Sequence, residues 1–245
     1  MITSTSSSQV KHVVNLQKKA KLRKEEKQFV VEGVKMVSEA PADRLVKVYV
    51  SETFKADNEE FLERMNYDSI GKDVLEIVTD NVFMRMADTQ TPQGIMAVVR
   101  MTDTDLEGIL SDKHNPLLLI IENLQDPGNL GTIVRMAEGA GVTGIIMSSN
   151  TVDIYNPKTI RSTMGSLYRV PVIYVDDICE AADVCKSKGV TVYAAHLKGT
   201  DNYNKKDYTN PTAFMIGNEG NGLTDKLADK ADEYVRIPMQ GEVES

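Results

Sequence analysis

The residues most suited to chemistry in this sequence are Asn129 and Arg135, which follow an apolar run at 117–121. The run predicts a buried strand, and the residues after the turn at 125–129 predict a helix whose apolar side carries Leu130, Ile133, Val134 and Ala137. Arg135 falls off that stripe and is expected to face out. Because ligands of open α/β sheets bind beyond the carboxyl ends of the strands, both side chains are candidates for a site. The same residue types also suit a helix N-cap and a solvated surface, so this strand and helix alone are typical of scaffold.

Glycine-rich segments follow three other predicted strands of the same sheet. They are Leu197-Lys198-Gly199, Gly217-Asn218-Glu219-Gly220-Asn221-Gly222 and Ile237-Pro238-Met239-Gln240-Gly241. Glycines at strand ends let a ligand approach the backbone closely, although a glycine cluster also fits a turn that needs positive φ. The sequence contains neither the phosphate loop G-x-x-x-x-G-K-S/T nor the motif G-x-G-x-x-G after its first strand. An enzyme that acts on small-molecule nucleotides on a Rossmann-like sheet is therefore disfavoured.

Four motifs follow one another through the second half of the sequence. They are Asn129-Leu130-Gly131-Thr132-x-x-Arg135, Asn156-Pro157-Lys158-x-x-Arg161-Ser162-x-x-Gly165, Ile216-Gly217-Asn218-Glu219-Gly220-x-Gly222-Leu223 and Ile237-Pro238-Met239-x-Gly241-x-x-Glu244-Ser245. In order and spacing they resemble the SpoU (TrmH-like) RNA ribose methyltransferases of the SPOUT class. In the first half, Glu32-Gly33 and Thr91-Pro92-Gln93-Gly94 are similar to that family's substrate-binding domain, a ribosomal-protein-like α/β module.

The resemblance implies a mostly parallel α/β sheet with a C-terminal trefoil knot and a small N-terminal α/β domain. It further implies S-adenosylmethionine as cofactor, methyl transfer to a ribose 2′-hydroxyl of structured RNA, and a homodimer; no metal is expected. Matched position by position, the catalytic residues are Asn129, Arg135, Glu219 and Ser245. The cofactor-binding residues are Leu197, Gly199, Gly217, Asn218, Ile237 and Met239.

Arg135 is expected to stabilise negative charge on the ribose oxygen, because a guanidinium has no acceptor atom with which to take its proton. Asn129 and Glu219 would orient the ribose or that arginine.

The family's last motif continues beyond the serine with Leu-Asn and a long helix, whereas this sequence stops at Ser245. We expect a chain that stops there to have a mobile 238–245 segment, a weak cofactor site and a reduced dimer interface. Two alternatives stay open: a tRNA 2′-O-methyltransferase, and a non-catalytic RNA-binding protein that retains the fold.

A basic segment at 10–30 is the candidate RNA-binding surface. It carries seven lysines and arginines against two glutamates, although the whole chain has a net charge of −8. Local positive charge can still bind phosphate, because screening makes nearby charges matter most. We predict RNA contacts at Lys18, Lys19, Arg23 and, from the second motif, Arg161. A run of charge on a helix can equally be a solvated face.

The order of predicted elements divides the chain into an RNA-binding α/β domain at 1–100, a polar linker at 101–115 and a methyltransferase domain at 116–245. In the last domain, near-continuous apolar strands alternate with helices, which favours a mostly parallel sheet covered on both faces. Helices are expected at 129–140, 157–167 and 221–229. The additional N-terminal domain favours 23S ribosomal RNA as the substrate.

The bulk composition is that of an ordinary globular protein. The 245 residues are 41% hydrophobic and 26% charged, with no apolar run near the roughly 20 residues that span a bilayer and no signal-peptide core, so the cytoplasm is the expected location. Cys179 and Cys185 have neither metal-site nor redox spacing and are interpreted as packing residues. The three histidines, His12, His114 and His196, are too scattered to predict a metal site.

Overall fold

A computed structural model describes residues 1–67, 70–71, 73–111, 115–199 and 201–238. In chain order the helices are α1 (Ser8–Lys18), α2 (Ala20–Glu26), α3 (Val34–Ser38), α4 (Glu52–Asp57), α5 (Glu59–Met65), α6 (Asp80–Met86), α7 (Leu106–Ser111), α8 (Pro127–Gly139), α9 (Pro157–Thr163), α10 (Ile178–Ser187) and α11 (Asp225–Ala228). The strands are β1 (Gln28–Glu32), β2 (Leu45–Ser51), β3 (Leu75–Val78), β4 (Ile95–Arg100), β5 (Leu117–Ile121), β6 (Gly144–Ser148), β7 (Val172–Val175), β8 (Thr191–Ala195), β9 (Asp201–Asn202), β10 (Thr212–Ile216) and β11 (Glu233–Arg236).

The chain forms two compact units. The first joins Met1–Thr102 with Asp153–Tyr168, and the second joins Asp103–Val152 with the chain from Arg169 onward. The sequence had assigned 153–168 to the second domain. These residues instead belong to the first unit because Ile160 and Leu167, at 2% and 5% exposure, are buried in its apolar core.

The first unit is built on a four-stranded sheet in the order β1-β4-β2-β3. β4 is antiparallel to both β1 and β2, and β2 pairs in parallel with β3. Alternate residues of a strand point to opposite faces, so this sheet has two apolar sides. On β4, Ile95, Ala97 and Val99 join the core on one face, whereas Met96 and Val98 pack with residues of α1 and α6 on the other.

The second unit is a seven-stranded sheet in the order β7-β6-β5-β10-β8-β11-β9, and every neighbouring pair is parallel. The predicted mostly parallel sheet is thus confirmed. Residues of α7, α10 and α11 bury one face of this sheet, and Cys179 and Cys185 are buried there as packing residues. The last residues of β5 and β10, Ile121 and Ile216, are direct partners across the sheet. The two loops that follow therefore begin side by side.

Three predicted helices differ in length from those observed. α8 begins two residues earlier than expected, at Pro127, because Asp126 caps it. α9 ends at Thr163, since Met164 and Gly165 both have positive φ. α11 begins only at Asp225, after the cap residue Thr224. The predicted linker contains α7, whose Ile109 is buried in the core of the second unit.

None of the helices in the described ranges has the length and apolar composition needed to cross a bilayer. The same residues hold no group of three or more His, Cys, Asp or Glu side chains placed to bind a metal ion.

Candidate active site

The N-terminus of α8 forms one side of the candidate site. Asp126 is the N-cap, and its carboxylate accepts a hydrogen bond of 2.8 Å from the backbone N–H of Asn129. Pro127 then occupies the first helical position, where the missing N–H costs nothing. The alternative interpretation from the sequence, in which Asn129 is itself the cap, is wrong. As the third residue of the helix, Asn129 has its side chain free to contact another loop.

Glu219 makes that contact from a loop 90 residues further along the chain. Its Oε1 accepts hydrogen bonds from the backbone N–H of Asp126 at 2.8 Å and from Asn129 Nδ2 at 3.2 Å. Its Oε2 accepts one from the backbone N–H of Gln125 at 3.1 Å. A carboxylate beside a helix N-terminus is also favoured by the helix dipole. The structure therefore brings together two of the four predicted catalytic residues, Asn129 and Glu219.

The protonation of Glu219 follows from these bonds. Partial burial by itself raises the pKa of this carboxyl group. The hydrogen bonds from the backbone of Asp126 and Gln125 and from the Asn129 amide outweigh burial and hold the pKa below its ordinary value. Glu219 is therefore an acceptor at neutral pH and suits orientation of donors better than donation of a proton.

Residues 217–224, here called the glycine loop, form a closed turn. Asn218 and Gly222 exchange two backbone hydrogen bonds of 3.0 and 2.9 Å. Within this ring, Asn218 Oδ1 accepts from the N–H groups of Gly220 and Asn221, and Nδ2 donates to the Asn123 carbonyl at 2.9 Å. The Asn218 side chain, predicted to bind cofactor, thus closes the loop and fixes it to the segment that follows β5.

Two of the predicted cofactor-binding glycines have a packing reason to be glycine. A Cβ on Gly217 would lie 2.0 Å from the backbone carbonyl carbon of Gly222, a distance no side chain tolerates. A Cβ on Gly199 would lie 2.9 Å from the backbone carbon of Val235, and the Gly199 N–H already donates to the His196 carbonyl. Close backbone approach therefore explains both residues before any ligand is considered.

A cavity of about 650 Å³ opens beside the glycine loop. It is lined by Asn123, Gln125, His196, Lys198, Asn218, Asn221, Gly222, Leu223, Thr224 and Asp225. Its size falls within the range of small-molecule sites, which is about 300 to 1,000 Å³. Its walls come from the loops after β5, β8 and β10, at the sheet edge where the sequence predicted the site.

His196 lies in this wall and was not predicted as a site residue. Its ring stacks on Tyr234 with centroids 5.1 Å apart, and its Nδ1 accepts from the backbone N–H of Lys198 at 3.1 Å. With Nδ1 acting as an acceptor, the neutral ring carries its proton on Nε2 and can donate from that atom. The signal available in the sequence was position alone, since His196 directly follows the strand β8.

The end of β5 contributes two further residues that the sequence did not single out. Glu122 is only 5% exposed, although it is charged by residue type. Asn123 has a φ of +55°, and its N–H donates to Ser148 Oγ at 2.9 Å. Asparagine tolerates this left-handed conformation better than most residues. The available signal was an acidic residue and an asparagine immediately after an apolar run.

The other predicted residues of this site are not drawn into the Asn129–Glu219 contact. Arg135 is exposed, and among the described residues it makes no hydrogen bond or ion pair. It lies roughly 9 Å along the helix and about 120° around it from Asn129, given 3.6 residues per turn. Leu197 and Ile237 are both exposed, and Met239 and Ser245 lie outside the described residues.

The predicted RNA contacts of the first unit divide into two kinds. Lys18 and Lys19 are exposed, as an RNA-binding surface requires, and Arg161 forms an ion pair of 2.6 Å with Asp88. The prediction for Arg23 is wrong, because Arg23 is 3% exposed and its guanidinium binds Asp153. Its Nη1 also donates to the carbonyls of Leu16 and Gln17, at the C-terminus of α1. Arg23 is a structural residue that the charge count had included in a surface.

Comparison with known proteins assigns both halves of the chain. Residues 116–245 match the model of the SpoU rRNA Methylase family, and residues 7–97 match that of the MRM3-like substrate binding domain. The chain is 31% identical over 248 residues to an uncharacterized tRNA/rRNA methyltransferase of Synechocystis, covering 100% of this chain and 87% of that protein. It is 33% identical over 175 residues to the 23S rRNA (guanosine(2553)-2′-O)-methyltransferase RlmP of Bacillus subtilis, covering 69% of this chain and 65% of that one.

A solved structure of similar form contains the expected cofactor. The crystal structure of AdoMet-bound rRNA methyltransferase from Sinorhizobium meliloti superposes with a TM-score of 0.83 at 27% sequence identity. The match covers 100% of this chain and 90% of that one. The similarity therefore extends over both units.

Proposed function

We propose that this chain, which belongs to the SpoU rRNA methylase family, transfers the methyl group of S-adenosylmethionine to a ribose 2′-hydroxyl of structured RNA. The favoured substrate is 23S ribosomal RNA. The observation that carries this proposal is the contact of Glu219 with Asn129 and the turn before α8. It joins two motifs 90 residues apart at one sheet edge, beside a cavity large enough for a nucleoside.

The residues of the cavity fit such a cofactor. The wall combines the side-chain amides of Asn123, Gln125 and Asn221 with the apolar Leu223, and Gly222 of the glycine loop leaves its backbone open to a ligand. The backbone around Leu197, Gly199, Gly217 and Ile237 would hold the cofactor, with Asn218 fixing the loop. Bound there, S-adenosylmethionine supplies a methyl group made electrophilic by its sulfonium.

Arg135, Asn129 and Glu219 act on the ribose hydroxyl. As its oxygen takes the methyl group, the hydroxyl proton passes to water and S-adenosylhomocysteine is released, while Arg135 stabilises the negative charge that develops on the oxygen through its guanidinium donors. Asn129 and Glu219 orient the ribose, a task for which their mutual hydrogen bond of 3.2 Å holds them in place. Holding the reacting oxygen in line with the methyl group supplies much of the acceleration in a transfer of this kind.

The first unit supplies affinity for RNA. The support is its match to a substrate binding domain over residues 7–97 and the exposed ammonium groups of Lys18 and Lys19. Ribosomal RNA is favoured over transfer RNA because RlmP is named for 23S rRNA, while the Synechocystis relative is named for either. We propose the cytoplasm as its location, where such an RNA substrate is available.

A homodimer and a C-terminal trefoil knot complete the proposal. Large apolar side chains stay exposed on the second unit, among them Met136 of α8 at 67% and Ile237 at 58%, which is consistent with a subunit interface. The knot expected from the family resemblance stays a prediction.

Mapping of 2′-O-methylation on ribosomal and transfer RNA from cells with and without the gene tests the substrate. We expect one methylated position in 23S RNA to be lost on deletion. Loss from a transfer RNA alone would move the assignment to that substrate. No change in any RNA, together with retained RNA binding by the purified protein, would favour a non-catalytic binding protein.

A further inference from the structure

Glu122 is a buried carboxylate that the proposed chemistry does not use. It directly follows β5 and is 5% exposed. Its Oε2 accepts from the backbone N–H of Thr224 at 2.8 Å, and its Oε1 accepts from the Thr224 hydroxyl at 2.8 Å. Both carboxyl oxygens therefore accept hydrogen bonds from a single residue.

Burial of the Glu122 carboxylate costs free energy of desolvation, so a compensating role is expected. Among the described residues Glu122 makes no ion pair, and a buried charge without a cation loses its hydration with only hydrogen bonds in return. An apolar side chain would serve the core at lower cost. What the carboxylate alone provides is a fixed position for Thr224, whose hydroxyl also accepts from Leu227 N–H to cap α11.

Thr224 is the last residue of the glycine loop, and hydrogen bonds within the loop hold its residues in a fixed arrangement. Its other end leaves β10 at Ile216, and the two backbone bonds between Asn218 and Gly222 close it internally. A closed loop of this kind is oriented by its attachments. Glu219 attaches its tip to the turn before α8, and Glu122 attaches its root to the end of β5.

We propose that Glu122 is a positioning residue for the methyl transfer: through Thr224 it sets the orientation of the glycine loop, so that Glu219 meets Asn129 and the loop forms its wall of the cavity. This inference rests on the proposed function for its effect on catalysis. Glu122 is buried and its two hydrogen bonds from the exposed Thr224 are partly buried, whereas Glu219 and its bonds to the turn are exposed, so water competes less with the root attachment than with the tip.

The test compares Glu122→Gln, Thr224→Val and Thr224→Ser. Glutamine leaves an NH₂ group facing one of the Thr224 donors, and valine removes the hydroxyl but keeps the N–H. We expect Glu122→Gln and Thr224→Val to raise the KM for S-adenosylmethionine and lower kcat, with kcat/KM reduced about tenfold or more, because charged hydrogen bonds are the strong ones. Thr224→Ser, which keeps both donors, should lie between wild type and Thr224→Val.

The control is Ile146→Val, a substitution in the fully buried core of β6, outside the glycine loop, that lowers stability and leaves the hydrogen bonds of Glu122 and Thr224 in place. At a temperature well below every Tm, its KM and kcat should equal those of wild type. Amide hydrogen exchange is read in parallel, and the N–H groups of Asn218 and Gly222 should lose protection in Glu122→Gln and keep it in Ile146→Val.

The two readouts separate failure of this inference from failure of the proposed function. Wild-type kinetics and unchanged loop protection in Glu122→Gln would overturn the positioning role. Kinetic losses no larger than those of Ile146→Val would do the same. If the wild-type protein bound no S-adenosylmethionine, the proposed function would fall, and loop protection in Glu122→Gln would by itself decide whether Glu122 positions the loop.

Discussion

Glu219 carries more of the candidate site than any other single residue, because three donors from the turn and helix after β5 converge on its carboxylate. Glu219→Gln should disrupt this contact, since one amide atom would present N–H groups to a backbone N–H. A hydrogen bond to a charged group is worth about 1.5–3 kcal/mol, so we expect kcat/KM to fall roughly 10- to 100-fold. Steady-state methyl transfer measures it.

The matched control for Glu219→Gln is Glu63→Gln. Glu63 is an exposed glutamate on α5, and its side chain has no hydrogen bond or ion pair among the described residues. That variant should keep the wild-type rate. If the two variants had the same kcat/KM, the role assigned to Glu219 would be wrong.

Arg135 differs from Glu219, because its side chain makes no hydrogen bond or ion pair among the described residues. Because it is exposed and unpaired among the described residues, Arg135→Lys should leave the Tm within experimental error. Lysine keeps the charge but loses the planar fork, so we expect kcat to fall about tenfold or more if two donors hold the ribose oxygen. Thermal unfolding and single-turnover kinetics make the comparison.

Full activity of Arg135→Lys would count against a fork-shaped contact and leave only a point charge. Arg85→Lys, at another exposed arginine of the described chain, is the control for a general effect of the substitution.

At the scale of elements, the glycine loop depends on the absence of a side chain at one position. Gly217→Ala places a Cβ 2.0 Å from the Gly222 backbone, so the loop must be rebuilt. We expect a stability loss of about 1–3 kcal/mol, as overpacking typically gives, and loss of cofactor binding. Gly220→Ala is the control, because its Cβ would come no closer than 3.7 Å to the Asn218 side chain.

Calorimetric titration with S-adenosylhomocysteine and urea unfolding distinguish the two glycine variants. Equal behaviour of Gly217→Ala and Gly220→Ala would mean that the loop adapts freely, and the account of its rigidity would be wrong.

Two basic residues of the first unit are expected to affect different properties: Arg23 the stability of the fold, and Lys19 the affinity for RNA. Arg23→Met should destabilise the protein by about 3–5 kcal/mol, because it leaves the Asp153 carboxylate without its buried partner. Lys19→Met, at an exposed side chain that makes no ion pair among the described residues, should leave the Tm unchanged and reduce the salt slope of RNA binding by about 1. Urea unfolding and RNA titrations at several salt concentrations measure the two effects.

A result in which Lys19→Met destabilised the fold and Arg23→Met weakened only RNA binding would reverse this assignment. The sequence could not separate the two residues, because both are basic positions in one charge run. Arg23 is distinguished by what lies nearby in space: the last carbonyls of α1 and an aspartate 130 residues away.

Some elements of the fold could be predicted from the sequence, and others depend on contacts that the sequence does not reveal. The parallel sheet was predictable, since continuous apolar strands such as 117–121 and 144–148 must be covered on both faces. The helix ends were not, because Asp126 and Thr224 act as caps only when the chain beyond them turns. The contact of Asn129 with Glu219 depends on β5 and β10 being neighbours, which local pattern does not specify.

At the scale of the whole molecule, the assignment of 153–168 to the first unit changes the picture drawn from sequence. The second motif, from Asn156 to Gly165, therefore lies in the unit proposed to bind RNA. Its Arg161 is already paired with Asp88, so phosphate would have to compete with that carboxylate. Lys18 and Lys19 are the better candidates for phosphate contacts.

We propose that methyl groups are transferred to ribose at the sheet edge that carries Asn129 and Glu219. This transfer is tested by incubating the purified protein with methyl-tritiated S-adenosylmethionine and ribosomal RNA lacking the modification, and then mapping the alkali-resistant linkage that a 2′-O-methyl group creates. We predict label in 23S RNA at one ribose, reduced about 10- to 100-fold in Glu219→Gln, since its lost hydrogen bonds are worth about 1.5–3 kcal/mol. Label on a base, or equal labelling by wild type and Glu219→Gln, would contradict the account.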